Sequence, residues 1–334
     1  MTFIIAEMSA SHNGSLERAL AIVDAAADAG ADAIKIQCWH PDRMVVDRNA
    51  TVVGGPWGTR NLYKLYEQCH MPWEWIPDIA TRAKEHGIEW FSSVFDDLAL
   101  AELERLGCPR YKIASCEITD LPLIRAVRAT GKPIIISTGM ASVEEITDAC
   151  IAGGNVTLLK CTAAYPAPLD SCNLWTIHDM RERFHRSVGL SDHTIGLLAA
   201  ATAMSLGITV LEKHLTLSRA DGGPDAGFAS EPHEFAELVK EIRGAEEIPQ
   251  QVRAILGTTQ YGPTDPELST YRLRRSLYYN RVLTPGDVIA SADIVSARPG
   301  MGLPPDELRN LIGQRIKSRA LPGQPVRASD FAVK

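Results

Sequence analysis

Residues 187–196, SVGLSDHTIG, and residues 208–216, ITVLEKHLT, decide the fold of this chain. Each is a short apolar run that ends in polar groups: Ser191, Asp192 and His193 in the first, Glu212, Lys213 and His214 in the second. Neither run alternates polar with apolar residues, so neither is a strand with one wet face. A continuous apolar run is a strand covered on both faces, as in a parallel sheet. Successive strand residues point to opposite sides. His193 therefore shares a side with Ser191 and not with Asp192, which argues against a Ser191–Asp192–His193 catalytic triad.

Working outward, the same design recurs. FIIAE (3–7), DAIKIQC (32–38), IEWFSS (88–93), RYKIAS (110–115), PIIIST (133–138) and VTLLKCT (156–162) complete a set of eight strands. Helical patterns lie between them, among them LERALAIVDAAADAGA, IPDIATRAKEHG and SVEEITDACIAGG. Several end in Gly, as helix C-termini often do. Eight strand–helix units in about 245 residues predict a (β/α)8 TIM barrel. The alternative, a doubly wound open sheet, would carry a G-x-G-x-x-G turn after its first strand, and none is there.

Polar residues fall at the same end of every strand: Glu7, then Lys35 and Gln37, Ser92 and Ser93, Lys112 with Ser115 and Glu117, Ser137 and Thr138, and Thr162 with Tyr165. One lysine or histidine at a strand end is ordinary. A full ring of them on the C-terminal face of a barrel is where its active site lies. Lysines and hydroxyls suit a phosphate and a carboxylate. Histidines on adjacent strands suit one divalent metal with positions left open, or a single general acid or base.

Composition sets the outer bounds. The chain has 334 residues, 45% of them hydrophobic, enough for a large domain and a smaller one. A net charge of −7 argues against a nucleic-acid partner. It leaves room for an anionic small substrate, which needs only a few cations in one cleft. The seven cysteines show no C-x-x-C spacing and read as reduced thiols, which predicts a cytoplasmic location. No stretch reaches the roughly 18 apolar residues of a membrane span, and no membrane partner is expected. Residues 1–246 are expected to form the barrel, 247–271 an aperiodic linker, and 272–334 a small β-rich domain. The barrel mouth lacks a lid unless 39–72 folds over it.

At this point the motifs carry a family. AEMSASHNGS, GADAIKIQ, YKIASCEITDLPLI, KPIIISTGM, CTAAYPAP, GLSDHT, LEKHLT and GGPDAGFASEP strongly resemble the nonulosonate (sialic acid-type) synthases. The tail is similar to their C-terminal antifreeze-like (SAF) domain. Ala163 stands in CTAAYP where sialic acid synthases carry Asn, and the loop reads DGGPDAGF. Both look like the pseudaminic acid synthase branch, although Ala226 departs from its usual GGPDS.

The resemblance implies a reaction between phosphoenolpyruvate, an open-chain N-acetylated amino hexose and water, giving a nine-carbon 2-keto acid and phosphate. A 2,4-diacetamido-2,4,6-trideoxyhexose is the expected sugar, with N-acetylneuraminate or legionaminate synthesis as alternatives. The resemblance also implies a divalent cation, commonly manganese with magnesium or cobalt as substitutes, held by His193 and His214. Lys35, Ser93, Lys112, Ser115, Ser137 and Ser191 would contact phosphoenolpyruvate. Glu7, Gln37, Tyr165 and Asp225 would handle the sugar, with Glu7 and Lys112 also catalytic. Glu117 would move a proton or a water. A domain-swapped homodimer is implied, with Arg298 entering the partner's site. A metal-dependent pyruvate aldolase and a non-catalytic sugar- or ice-binding protein are the more distant readings.

Overall fold

The computed structural model describes residues 2–52, 54–244 and 255–331. Its strands are β1 (Phe3–Glu7), β2 (Ala33–Cys38), β3 (Glu89–Val94), β4 (Tyr111–Ile113), β5 (Ile134–Ser137), β6 (Val156–Cys161), β7 (Val188–Asp192) and β8 (Val210–His214). They close into one barrel in sequence order, β8 pairing parallel with β1. Each lies within a residue or two of its expected run.

Residues opposite each other in a parallel ladder point to the same side, so the register sorts side chains into layers. Lys35 pairs with Glu7 and Phe91, Ser93 with Gln37 and Lys112, and Ser191 with Cys161 and Glu212. The interior is apolar below, with Ile5, Phe91, Ile135 and Leu159, and polar above. The lower layer is tight. A Cβ on Gly189 would stand 2.2 Å from the Val210 carbonyl oxygen and 2.7 Å from Leu159 Cδ2, so only glycine fits there.

The helices begin where the sequence supplies caps. Ser15 accepts from the Arg18 N–H, and Ser142 with Glu145 forms a full capping box. Their apolar faces and the strand exteriors form the main core. A second apolar cluster covers the mouth. It joins Trp39, Met44, Leu62 and Leu65 of the 39–72 segment to Phe95, Cys116, Met140, Ala163 and Leu273. The segment 39–72 therefore does fold over the barrel, using the helix Leu62–Cys69 capped by Asn61.

The linker expected at 247–271 is not a loose tether where it is described. The Leu174 N–H donates to the Ile255 carbonyl at 3.1 Å, and the Gly262 N–H to the Ala141 carbonyl at 2.7 Å. Glu267, 1% exposed, accepts from the Ala163 N–H at 2.8 Å. This stretch shows no helical period because individual polar bonds hold it down, not an amphipathic face. Residues 247–254 of the expected linker, with 245 and 246 before them, lie outside the described residues.

Beyond it, β9 (Ser276–Tyr279) and β10 (Ile294–Ala297) pair antiparallel over a small core that includes Leu277, Leu283, Ile289, Ile316 and Val326. This domain lies on its own barrel. Arg298 donates its backbone N–H to the Met44 carbonyl at 3.0 Å and enters the mouth of the same chain, where the expectation had it entering a partner's. The pinned stretch after Ile255 delivers it there. All seven cysteines are free. Among the described residues no helix is long and apolar enough to cross a membrane.

Candidate active site

The barrel mouth holds two joined chambers. The inner one is lined by Glu7, Lys35, Gln37, Ser93, Lys112, Ser115, Ser137, Tyr165, Ser191, His193, Glu212 and His214. The outer one opens above it, with an empty volume of about 870 Å³. Its walls are Trp39, Trp57, Leu62, Leu65, Phe95 and Leu273, with Ala163, Asp225 and Arg298 among its other residues. Gln37, Ala114, Ser115, Tyr165 and His214 line both.

The inner chamber is a network of opposed charges. Lys35 Nζ lies 2.5 Å from Glu7 and 3.7 Å from Glu212, and donates to Ser93 Oγ at 3.0 Å. Lys112 Nζ lies 3.3 Å from Glu212, which also accepts from Ser191 Oγ at 3.1 Å. Gln37 donates to Glu7 at 2.6 Å and to Ser9 at 2.9 Å. Burial raises the Glu7 carboxyl above the usual carboxylate range, Lys35 only partly offsetting it. Burial acts on Glu212 in the same sense, but Lys112 and Lys35 outweigh it and hold that carboxyl below the usual range. For Lys35 burial opposes the charge, and Glu212 and Glu7 win. For Lys112 burial wins, and its ammonium titrates below an ordinary lysine's. The Ser137 hydroxyl is buried without a protein partner. The Ser115 oxygen accepts the Gly139 N–H at 3.1 Å.

The imidazoles of His193 and His214 face each other with ring centroids 5.4 Å apart. His193 Nδ1 lies 2.9 Å from the Thr162 carbonyl oxygen. Only an N–H can bond there, so the lone pair is on Nε2. His214 Nδ1 is buried with no partner. Burial lowers both rings' pKa, His214's strongly, so both are neutral at pH 7. Two neutral imidazoles with a free lone pair fit a divalent cation. Among the described residues no third His, Cys, Asp or Glu completes a cluster, so a cation there would keep positions for substrate and water. Behind them, on the outer side of the strands, Lys213 is 2.7 Å from Asp192 and donates to the Thr194 carbonyl at 2.7 Å. That pair braces the two histidine-bearing strands.

Tyr165 is the wall between the chambers. Its ring packs 4.3 Å from His193 and 5.0 Å from Phe228, centroid to centroid. The loop around Asp225 closes one side. Asp225 accepts the Ala10 N–H at 3.1 Å, Asn13 donates to the Gly222 carbonyl at 3.0 Å, and Trp57 donates to the Pro224 carbonyl at 3.2 Å.

The structure thus gathers eleven expected residues around the inner chamber: Glu7, Lys35, Gln37, Ser93, Lys112, Ser115, Ser137, Tyr165, Ser191, His193 and His214. Asp225 and Arg298 line the outer one. Glu117 is the exception. It lines neither chamber, is fully buried, and its Oε1 sits 2.5 Å from Arg298 Nη2 and 3.3 Å from Arg275 Nε. Its carboxylate is held by two guanidiniums outside both chambers, where the expectation had it moving a proton or a water. Sequence reasoning gave no role to Glu212, Ser9, Trp57, Tyr66 or Arg275. Glu212 was findable, because it lies two residues before His214 and must share its side. The others come from loops and a short helix with no period to read.

A polar barrel mouth with buried lysines and hydroxyls beside paired imidazoles, capped by an apolar lid and a small β domain, is the arrangement of a barrel enzyme that acts on a small anionic substrate. The NeuB family model matches residues 22–253 and the SAF domain model residues 274–332. The chain is 37% identical to pseudaminic acid synthase of Campylobacter jejuni, covering 98% of this chain and 96% of that one. It is 35% identical to N,N'-diacetyllegionaminic acid synthase of Legionella pneumophila, covering 94% and 90%. The crystal structure of a spore coat polysaccharide biosynthesis protein of Bacillus subtilis superposes with a TM-score of 0.86 at 29% identity, covering 100% and 96%. The chain belongs to the NeuB family and carries a C-terminal SAF domain.

Proposed function

We propose that this enzyme condenses phosphoenolpyruvate with an open-chain 2,4-diacetamido-2,4,6-trideoxyhexose and water, giving a nine-carbon 2-keto acid of the pseudaminic acid type and phosphate. The observation that carries the reading is the division of the mouth. Two lysines and the hydroxyls of Ser93, Ser115, Ser137 and Ser191 surround the inner chamber, and apolar walls surround the outer one. The likeness to pseudaminic acid synthases supports it.

Lys35 and Lys112 bind the phosphate and carboxylate, exchanging their present partners Glu7 and Glu212 for substrate oxygens. The Ser137 hydroxyl, which has no protein partner, and the Ser115 hydroxyl beside it add donors. Tyr165 and the lid exclude bulk water from the reacting carbons. C3 of phosphoenolpyruvate attacks the sugar carbonyl, the C2 cation takes a water, and phosphate leaves against the two ammoniums. Glu7, whose carboxyl holds its proton more readily than its neighbour Glu212, is placed to exchange a proton at the chamber wall. His193 and His214 would hold a divalent cation, manganese before magnesium or cobalt, which when bound supplies Lewis-acid polarisation of the sugar carbonyl. Asp225, Gln37 and Arg298 would bond the sugar's amide and hydroxyl groups.

The test is a panel of hexoses with phosphoenolpyruvate and manganese, read by product mass and phosphate release. The 2,4-diacetamido-2,4,6-trideoxyhexose is expected to turn over faster than N-acetylmannosamine, and no sugar is expected to react with pyruvate. Faster turnover of N-acetylmannosamine would overturn the sugar assignment. Turnover with pyruvate would overturn the chemistry.

A further inference from the structure

Arg298 does not reach the outer chamber alone. Its Nε and Nη2 donate to Glu117 Oε1 at 3.1 and 2.5 Å, and its Nη1 donates to the Tyr66 hydroxyl. The same Oε1 accepts from Arg275 Nε at 3.3 Å. Arg275 lines neither chamber and its side chain is 1% exposed. Its other nitrogens meet the Ser296 carbonyl at 2.8 Å and Met44 Sδ at 3.3 Å. Asp120, on the same barrel loop as Glu117, accepts from the Ser296 hydroxyl at 2.8 Å. Two guanidiniums of the small domain therefore share one carboxylate of the barrel. Glu117 Oε2 is buried with no partner at all.

We propose that Arg275 is a positioning residue for the sugar end of the site, acting on Arg298 through the shared Glu117; the proposal rests on the functional reading above. The idle Oε2 is the telling atom. A carboxylate and a guanidinium left to themselves form two parallel N–H···O bonds. Here Arg275 draws Oε1 toward itself, and both Arg298 bonds converge on that one oxygen. Arg298 keeps N–H hydrogens on its Nη atoms without protein acceptors, and it lines the chamber. Its charge is shared with Glu117, while Asp120 stands near Arg275. A compensated guanidinium suits a neutral acceptor, an acetamido carbonyl oxygen, better than a second carboxylate. Without Arg275 the Glu117 carboxylate turns, Oε2 takes a second Arg298 N–H, and donors leave the chamber.

The test compares Arg275→Met, Arg275→Lys and Arg298→Ala in steady state, with phosphoenolpyruvate and the diacetamido sugar varied separately. Arg275→Met should raise the sugar KM about tenfold while the phosphoenolpyruvate KM stays within about twofold. Arg275→Lys should recover part of the loss. In the Arg298→Ala background Arg275→Met should add nothing, because its effect runs through Arg298. A full additional loss there, or equal rises in both KM values, overturns the proposal. If Arg275→Met gives no cooperative melting transition, Arg275→Lys carries the same comparisons. A wild type that turns over no N-acetylated sugar sinks the functional reading instead. The positioning claim is then decided by the crystal structure of Arg275→Met, where Arg298 should pair with both Glu117 oxygens. An Arg298 guanidinium still converging on Oε1 alone contradicts it.

Discussion

The two chambers differ in how they are built and in what they are ready to bind. In the inner chamber every strand contributes a side chain, β2, β7 and β8 leading to pairs at i and i+2, and cations already stand against carboxylates, as Lys35 does at 2.5 Å from Glu7. In the outer chamber the walls come from segments far apart in the chain, Trp39 and Leu65 on one side and Leu273 on the other, and they are apolar. A preassembled ring of charges binds an anion by exchanging partners, with little reorganisation. An apolar wall does nothing for an anion but accommodates methyl and acetyl groups, and leaves a buried hydroxyl unpaired. On the proposed function, that difference puts phosphoenolpyruvate inside and the sugar outside, each held by its own chemistry.

The strongest way to break this division is to remove an inner cation. Lys112→Met should lower kcat/KM for phosphoenolpyruvate by about a thousandfold, since buried electrostatic contacts to a leaving phosphate carry a large share of such rates. A loss under about tenfold would show that the inner charges do not hold the reacting anion. His193→Ala or His214→Ala should abolish turnover with the fold intact by circular dichroism, and excess chelator should do the same to the wild type. Full activity in chelator would remove the cation from the account.

The brace behind the histidine strands comes next. Asp192→Ala leaves the Lys213 ammonium, 2.7 Å away, buried and unpaired. Stability should fall by about 3–5 kcal/mol, read by urea unfolding. An unchanged midpoint would mean the pair contributes no net brace. A smaller effect sharpens the outer chamber. Leu65→Asn should reduce the preference for a 6-deoxy over a 6-hydroxy sugar by about tenfold, and spare phosphoenolpyruvate. An unaltered preference would move the sugar's C6 away from this wall.

The smallest effect is a pH limb. Burial lowers the Lys112 pKa, so its ammonium is lost as pH rises toward a value below the ordinary lysine's. Phosphoenolpyruvate affinity should be full below that value and fall above it. In Lys112→Arg, which stays charged, the alkaline limb should disappear. A limb that survives that substitution belongs to another group.

The contrast between chambers also explains what the sequence disclosed. Strand residues obey a period of two, so Lys35 with Gln37 and Ser191 with His193 could be placed on one side before any coordinates. Glu212 was equally legible, two residues from His214, and went unassigned. The lid offered no such rule. GGPWGTRNLYKLYEQCH carries Trp57, Leu62 and Tyr66 on turns and a short helix, and their meeting with Phe95 and Leu273 is set by tertiary packing. Glu117 shows the opposite case. Its position at a strand end promised chemistry, but Arg275 and Arg298, far away in sequence, hold its carboxylate. The linker misled because its many polar residues bond the barrel one by one, Glu267 to Ala163 among them.

The division of labour is tested most directly by calorimetric titration of phosphoenolpyruvate into protein without sugar. The wild type and Leu65→Asn should bind phosphoenolpyruvate equally, and Lys112→Met should bind it at least about a hundredfold more weakly. Equal binding by Lys112→Met, or weakened binding by Leu65→Asn, would contradict the assignment of the anion to the inner chamber.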